Sequence, residues 1–158
     1  MSGFTPQAMQ SWEELADQAR GLLAGEHDQI ANAANLSALI YHCVPELNWA
    51  GFYFVDGEEL LVGPFQGLPA CVRIARGRGV CGAAWTSSRT QRVADVHAFD
   101  GHIACDANSR SEVVVPLIRQ GVVIGVLDID SPRPERFDAD DQAGFEALAQ
   151  IYMRSLAG

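Results

Sequence analysis

The chain of 158 residues has no apolar run approaching the ~18 residues that a membrane-spanning helix requires. Its opening residues, "MSGFTPQAMQSWEEL", lack the basic region followed by an apolar one that marks a secretory leader. A soluble, cytoplasmic protein is the resulting expectation. Positive charge is also scarce. Lys and Arg total 11 against 20 Asp and Glu, a formal charge of -9, which disfavours a nucleic-acid backbone or an anionic membrane as the main partner and leaves small molecules or proteins. There is no internal repeat, no low-complexity segment and no linker. Four cysteines are present, and Cys71, Cys81 and Cys105, 10 and 24 positions apart, form none of the close C-x-x-C pairs of zinc sites. In a reducing compartment a permanent disulfide framework is not expected, so these thiols are packing residues, metal ligands or redox-active groups.

What is present is enough apolar material for one core. With 48% hydrophobic residues, a chain of this size buries roughly 70% of its unfolded surface, and a single domain over residues 1–158 is the natural reading. Helices come first, at about 5–44. In "SWEELADQARGLLAG", Ser11 and Glu14 have capping-box spacing and Leu15, Ala19, Leu22 and Leu23 recur at helical intervals. A second amphipathic helix carries Ile30, Ala33, Ala34, Ser37, Ile40, Tyr41 and Val44 and stops before Pro45. Between about 48 and 131 the period shortens. "NWAGFYFV", "EELLVGPF", "ACVRI", "QRVADV", "SEVVVPLI" and "VVIGVLDID" read as six strands, with tight turns at "VDGEE" and "RQGVV" that make the flanking pairs antiparallel hairpins. "GVCGAAWTSS" reads as a short helix between strands. Asp138 can cap a last helix, about 138–157, whose Phe145, Leu148, Ala149, Tyr152 and Leu156 share a face. Runs of helix and runs of strand imply an α+β fold: a six-stranded, mainly antiparallel sheet, helices on one face, and the long connections 75–90 and 97–110 covering a ligand pocket on the other.

Two constellations could carry chemistry. In "GVLDIDSP" the alternation puts Ile124, Val126, Asp128 and Asp130 on one side of a strand and Val123, Gly125, Leu127 and Ile129 on the other. Two carboxylates on one sheet face are costly if buried without partners. Either they are solvated at the strand end, serving its termination, or they hold a cationic ligand. The second constellation is "GHIACDANSRSE", where Cys105 lies near His97, His102, Asp106, Arg110 and Glu112. A reactive thiol needs a cationic neighbour or backbone donors to form its thiolate, and an imidazolium or Arg110 could serve. A structural cysteine, or a metal site of His97, His102 and Cys105, are the other two readings. Trp49 and Tyr53, four apart in one strand, share a face and suit either a core or a pocket wall.

Taken together, "NWAGFYF", "GPFQGLPACVRI", "GRGVCGAAW", "DVHAFDGHIACDA", "SEVVVPL" and "GVLDIDSP" resemble the free methionine-R-sulfoxide reductases, a family built on a GAF domain. The resemblance spans about residues 48–132 and, with the helices at each end, nearly the whole chain. It implies reduction of free methionine-R-sulfoxide, with Cys105 as nucleophile, Cys71 as the main resolving partner and Cys81 able to assist. It also implies a substrate pocket of Trp49, Tyr53, Glu112, Asp128 and Asp130, no metal or organic cofactor, and thioredoxin as the partner that reopens a disulfide. Crowded carboxylates would supply both an acid for the departing oxygen and a charge for the substrate ammonium. Cys43 matches no family cysteine and reads as helix packing. Pairing into a homodimer through the terminal helices is a further implication, with internal packing of the same apolar faces as the alternative. Two rivals remain at this stage: a GAF-type sensor of a small ligand, and a thiol-based redox sensor or peroxidase.

Overall fold

A computed structural model describes residue 5, residues 7–103, residue 105 and residues 107–157. Asp106 lies outside the described residues. Helices α1 (Trp12–Leu23) and α2 (Gln29–Cys43) precede strands β1 (Trp49–Asp56), β2 (Glu59–Gly67) and β3 (Arg73–Ala75). Helix α3 (Gly79–Ser87), strand β4 (Gln91–Val93) and a 3-10 turn at Val96–Ala98 come next, then β5 (Ser111–Arg119), β6 (Val122–Ser131) and α4 (Ala139–Ser155). The strands form one sheet in the order β3-β2-β1-β6-β5-β4, with every neighbouring pair antiparallel.

Helix starts follow the side chains that can satisfy the first free N–H groups. Ser11 accepts from Glu14 N, Asp28 from Ala31 N, and Asp138 forms a reciprocal capping box with Asp141. The β5–β6 hairpin closes at Gln120 and Gly121, both with positive φ (50° and 80°), the backbone a two-residue primed turn requires. Helices α1, α2 and α4 lie on one sheet face, around Ala50, Phe52, Val113, Val115, Leu117, Leu127 and Ile129. Leu15, Ala19 and Leu23 of α1 and Phe145, Leu148 and Tyr152 of α4 are buried there, so these faces of the terminal helices contribute to the chain's own core, as does Cys43. Helix α3 sits on the opposite face with the loops, packing Val80, Cys81, Ala84 and Trp85 against Trp49, Tyr53, Val114 and Val126.

The structure departs from the sequence pattern in three places. In α2 the buried stripe includes Asn32, Leu36, Leu39 and Cys43, whereas Ile30 and Ala34 face solvent. The polar Asn32 is tolerated inside because its amide donates to Glu26 O (2.8 Å) and Ser155 Oγ (3.0 Å). In β6 strict alternation fails at Ile124. Leu117 pairs with Gly125 but Ile118 with Val123, so Ile124 is the extra residue of a bulge. Ile124 therefore packs with the helix-side core and Val123 with the α3 side, the reverse of their expected faces. Finally, β3 starts at Arg73, not Ala70, leaving Ala70 and Cys71 in the connection over the α3 face.

Candidate active site

The face under α3 is where the chain places its buried charge. Glu112 on β5 pairs in register with Asp130 on β6, Val114 with Asp128, and β1 flanks the same strand with Trp49 opposite Asp130 and Gly51 opposite Asp128. Period-2 alternation thus directs Trp49, Tyr53, Glu112, Asp128 and Asp130 to one side. The floor between the two aromatic rings is left low by Gly51. A Cβ there would run into Phe65 Cβ and lie 2.9 Å from Pro64 O, so β1 and β2 approach more closely than any side chain permits.

These residues line a small cavity of about 40 Å³, together with Cys81, His102, Ser109 and Cys105. Cys105 is joined to Cys71 in a disulfide with a Cα–Cα distance of 5.4 Å, which closes the 97–110 connection onto the segment preceding β3. The segment around Cys71 is anchored from the sheet. Tyr53 Oη donates to Cys71 O (3.0 Å) and Trp49 Nε1 to Leu68 O (3.2 Å), while the Trp49 and Tyr53 rings stack at 5.8 Å. At its far end the Cys105 loop is held by Asn48 Nδ2 donating to Ser109 Oγ (3.0 Å) and Arg110 N to Ser131 O (2.8 Å).

Three carboxyl groups, Glu112, Asp128 and Asp130, are only 7%, 5% and 9% exposed. Burial raises the Glu112 carboxyl well above its ordinary range, and the charges of Asp128 and Asp130 push it further. Burial raises Asp128 too, but hydrogen bonding with Glu112, Asp130 and Cys81 pulls it back. The same bond that stabilises the charge on Asp128 keeps the proton on Glu112. Between these two, Glu112 is the more strongly favoured neutral donor, while the hydrogen bonds at Asp128 partly offset the rise in its pKa. Among the described residues the buried Asp128 Oδ1 has no hydrogen-bond partner, and Asp128 lines the cavity. The Cys81 thiol lies in the same cluster, its Sγ and one oxygen each of Glu112 and Asp128 falling within 4.8 Å of one another. Burial, then the charge of Asp128, raises Cys81 well above a normal thiol. It remains a thiol and no ready nucleophile.

The eight residues that the family resemblance assigned to the site thus meet here: seven line the cavity and Cys71 bonds to one of the seven. The metal reading of His97, His102 and Cys105 is not what the fold assembles, since the sulfur of Cys105 is held by Cys71. His102 lines the cavity, and burial and then the nearby His97 lower its pKa below the ordinary 6.5, so the imidazole is neutral at pH 7. Arg78 and Ser109 line it as well and were not singled out. Arg78 sits in "GRGVCG" beside a cysteine already marked, which is the one signal that could have drawn attention to it.

An antiparallel sheet with three helices on one face and a capped cavity on the other is the architecture of a GAF domain, and the GAF domain family matches residues 36–157. Among proteins of known sequence, the free methionine-R-sulfoxide reductase of Escherichia coli is 49% identical over 146 residues, covering 92% of this chain and 88% of its own. The fRMsr of Staphylococcus aureus, solved in its reduced form, superposes with a TM-score of 0.90 at 49% identity, covering 99% of both chains. The free methionine-R-sulfoxide reductase of Neisseria meningitidis, solved with its substrate, gives 0.89 at 44% identity over 92% of this chain and 88% of that one. The chain belongs to the free methionine-R-sulfoxide reductase family of GAF-domain proteins.

Proposed function

We propose that this protein reduces free L-methionine-(R)-S-oxide to L-methionine, with Cys105 as the nucleophile and thioredoxin as the terminal reductant. The observation that carries this reading is the junction of one sulfur and one acid cluster: Cys105 lines the same cavity as Glu112, Asp128 and Asp130. A sulfoxide oxygen leaves only if it is protonated as the thiolate attacks the sulfur, so a nucleophile and an acid must share one enclosure. Glu112, kept neutral by burial and by its neighbours, is the acid. Asp128 and Asp130 hold the substrate ammonium, with the open Asp128 Oδ1 as one acceptor. His102, neutral at pH 7, takes the Cys105 proton. Trp49 and Tyr53 form the wall for the S-methyl group, and a site with methyl on one side and acid on the other distinguishes the two sulfoxide epimers.

Atoms and electrons balance over three steps. Attack by Cys105 transfers oxygen from the substrate to its sulfur, releasing methionine and leaving a sulfenic acid. The Cys71 thiol then displaces that oxygen as water and forms the Cys71–Cys105 disulfide, the bond present in this structure. A thioredoxin dithiol reopens it by exchange, itself becoming a disulfide. Cys81, not part of that bond, donates its thiol hydrogen to Asp128 and assists by orienting the cluster. Reduction by thioredoxin sets the reaction in the cytoplasm, where it returns oxidised methionine to use under oxidative stress.

The test is NADPH consumption coupled through thioredoxin reductase and thioredoxin, with each epimer of free methionine sulfoxide and with hydrogen peroxide. Turnover is expected with the free R epimer. Turnover with peroxide alone would establish a thiol peroxidase in its place.

A further inference from the structure

A free methionine sulfoxide carries two opposite charges, and the acid cluster suits only one of them. Glu112, Asp128 and Asp130 are buried along the cavity, and the ionised members of this cluster repel a carboxylate, so the carboxylate end of an amino acid must lie elsewhere along its wall. With His102 neutral at pH 7, Arg78 is the one cationic side chain among the described residues that line the cavity. Arg78 is exposed, which sets it at the mouth, and it belongs to no ion pair among the described residues. Its neighbours Arg73 and Arg76, by contrast, are engaged, Arg73 with Asp56 and Glu59, and Arg76 with Glu58 and over the Trp85 ring.

Arg78 is also the N-cap residue of α3, and no side chain caps this helix. The first intrahelical bond runs from Gly82 N to Arg78 O (2.9 Å), so the amides of Gly79, Val80 and Cys81 have no partner within the helix. These three residues line the cavity with Arg78. The guanidinium and the positive end of α3 therefore act on the same mouth, opposite in sign to the acids within.

We propose that Arg78 recognises the carboxylate of the substrate and so confines the site to free amino-acid sulfoxides. A methionine sulfoxide inside a peptide has an amide where that charge would be, and it leaves Arg78 without a partner. This assignment rests on the reading of the protein as a reductase of free methionine sulfoxide.

The experiment compares Arg78→Ala and Arg78→Lys with the parent protein on two substrates, L-methionine-(R)-S-oxide and its C-terminal amide, using dithiothreitol as reductant. A charge-assisted hydrogen bond is equivalent to roughly ten- to hundredfold in affinity. Arg78→Ala is expected to raise KM for the free acid by about that factor, with kcat within a fewfold, and to change the amide reaction by less than about threefold. Arg78→Lys should recover part of the loss, since it keeps the charge without the planar fork. Arg92→Ala, an exposed arginine on β4 outside the cavity lining, should behave as the parent protein. An equal loss on acid and amide, or no loss on either, overturns the assignment while leaving the reductase intact. A parent protein inactive on both substrates removes the reductase reading and the assignment together.

Discussion

Glu112 and Asp130 face each other across the β5–β6 ladder, both nine-tenths buried, with Asp128 two residues further along the same face. Three carboxyl groups in one dry patch resist ionising together, and burial and the charges of Asp128 and Asp130 raise Glu112 well above its ordinary range, favouring its neutral form. On the proposed function, this arrangement serves as an acid and as a cation-binding surface at once.

Replacing Glu112 by Gln keeps the hydrogen-bond donor and removes the titration. A carboxyl raised in the folded state binds more protons there than in the unfolded chain at every pH between the ordinary 4.5 and its raised value. Its contribution to stability is thus fully present below 4.5 and is lost as pH rises through that window. Glu112→Gln should therefore unfold at higher urea than the parent protein at pH 8, the advantage shrinking towards pH 5. Methionine formation should fall by roughly 10²- to 10⁴-fold, the usual effect of removing a general acid. A stability difference that does not vary with pH would contradict the placement of the proton.

Tyr53 links the cavity wall to the Cys71 segment through its bond to Cys71 O. Tyr53→Phe removes that donor and should lower stability by about 1 kcal/mol, measured by urea titration of the oxidised protein. In stopped-flow mixing of reduced protein with substrate, disulfide formation should slow because the Cys71 segment is less restrained. Burial, then the charge of Asp128, pushes the Tyr53 hydroxyl far above its ordinary pKa, so this contribution should not titrate below pH 10. An unchanged rate would assign the Tyr53 bond to stability alone.

With Cys71 and Cys105 joined, the cavity of about 40 Å³ is far below the ~300 Å³ at which pockets for small organic ligands begin. Methionine sulfoxide should bind the oxidised protein at least tenfold more weakly than the reduced Cys105→Ser variant, which has no disulfide and cannot turn over. Equal affinities by calorimetry would show that the Cys71–Cys105 bond does not gate the pocket.

Gly144 of α4 lies directly beneath the Trp12 ring, where any Cβ would collide with the indole. Gly144→Ala should cost roughly 1–3 kcal/mol by displacing Trp12 from Phe145, its edge-to-face partner at 4.8 Å. The kcat of the folded fraction should be unaffected, because this contact lies on the helix side of the sheet. A loss of kcat with normal stability would mean that the two faces are coupled.

The sequence displayed most of this fold because local rules and tertiary packing agree. Ser11, Asp28 and Asp138 cap helices as their chemistry suggests, and the two hairpin turns sit where Gly57 and Gly121 allow positive φ. Legibility failed where packing overrides local pattern. Ile124 looks like any alternating strand residue until the ladder to β5 is known, and Asn32 is buried by partners 6 and 123 residues away. At the site, the shared face of Asp128 and Asp130 was readable from spacing alone, whereas the position of Glu112 beside Asp130 depends on strand register and that of Arg78 at the cavity on where α3 begins. Pairing Cys71 with Cys105 required the family resemblance, since nothing in a spacing of 34 residues selects it over the alternatives.

The central claim is that the sulfur of Cys105 takes the oxygen of a substrate held by the buried acids and passes the resulting oxidation to Cys71. It is tested most directly by mixing fully reduced protein with one equivalent of free methionine-R-sulfoxide and no other reductant, then measuring methionine released and mapping the disulfide by mass spectrometry. One methionine per protein with a Cys71–Cys105 bond is predicted, together with none from Cys105→Ser. Stoichiometric methionine from Cys105→Ser, or a product bond that leaves Cys105 as a free thiol, would contradict it.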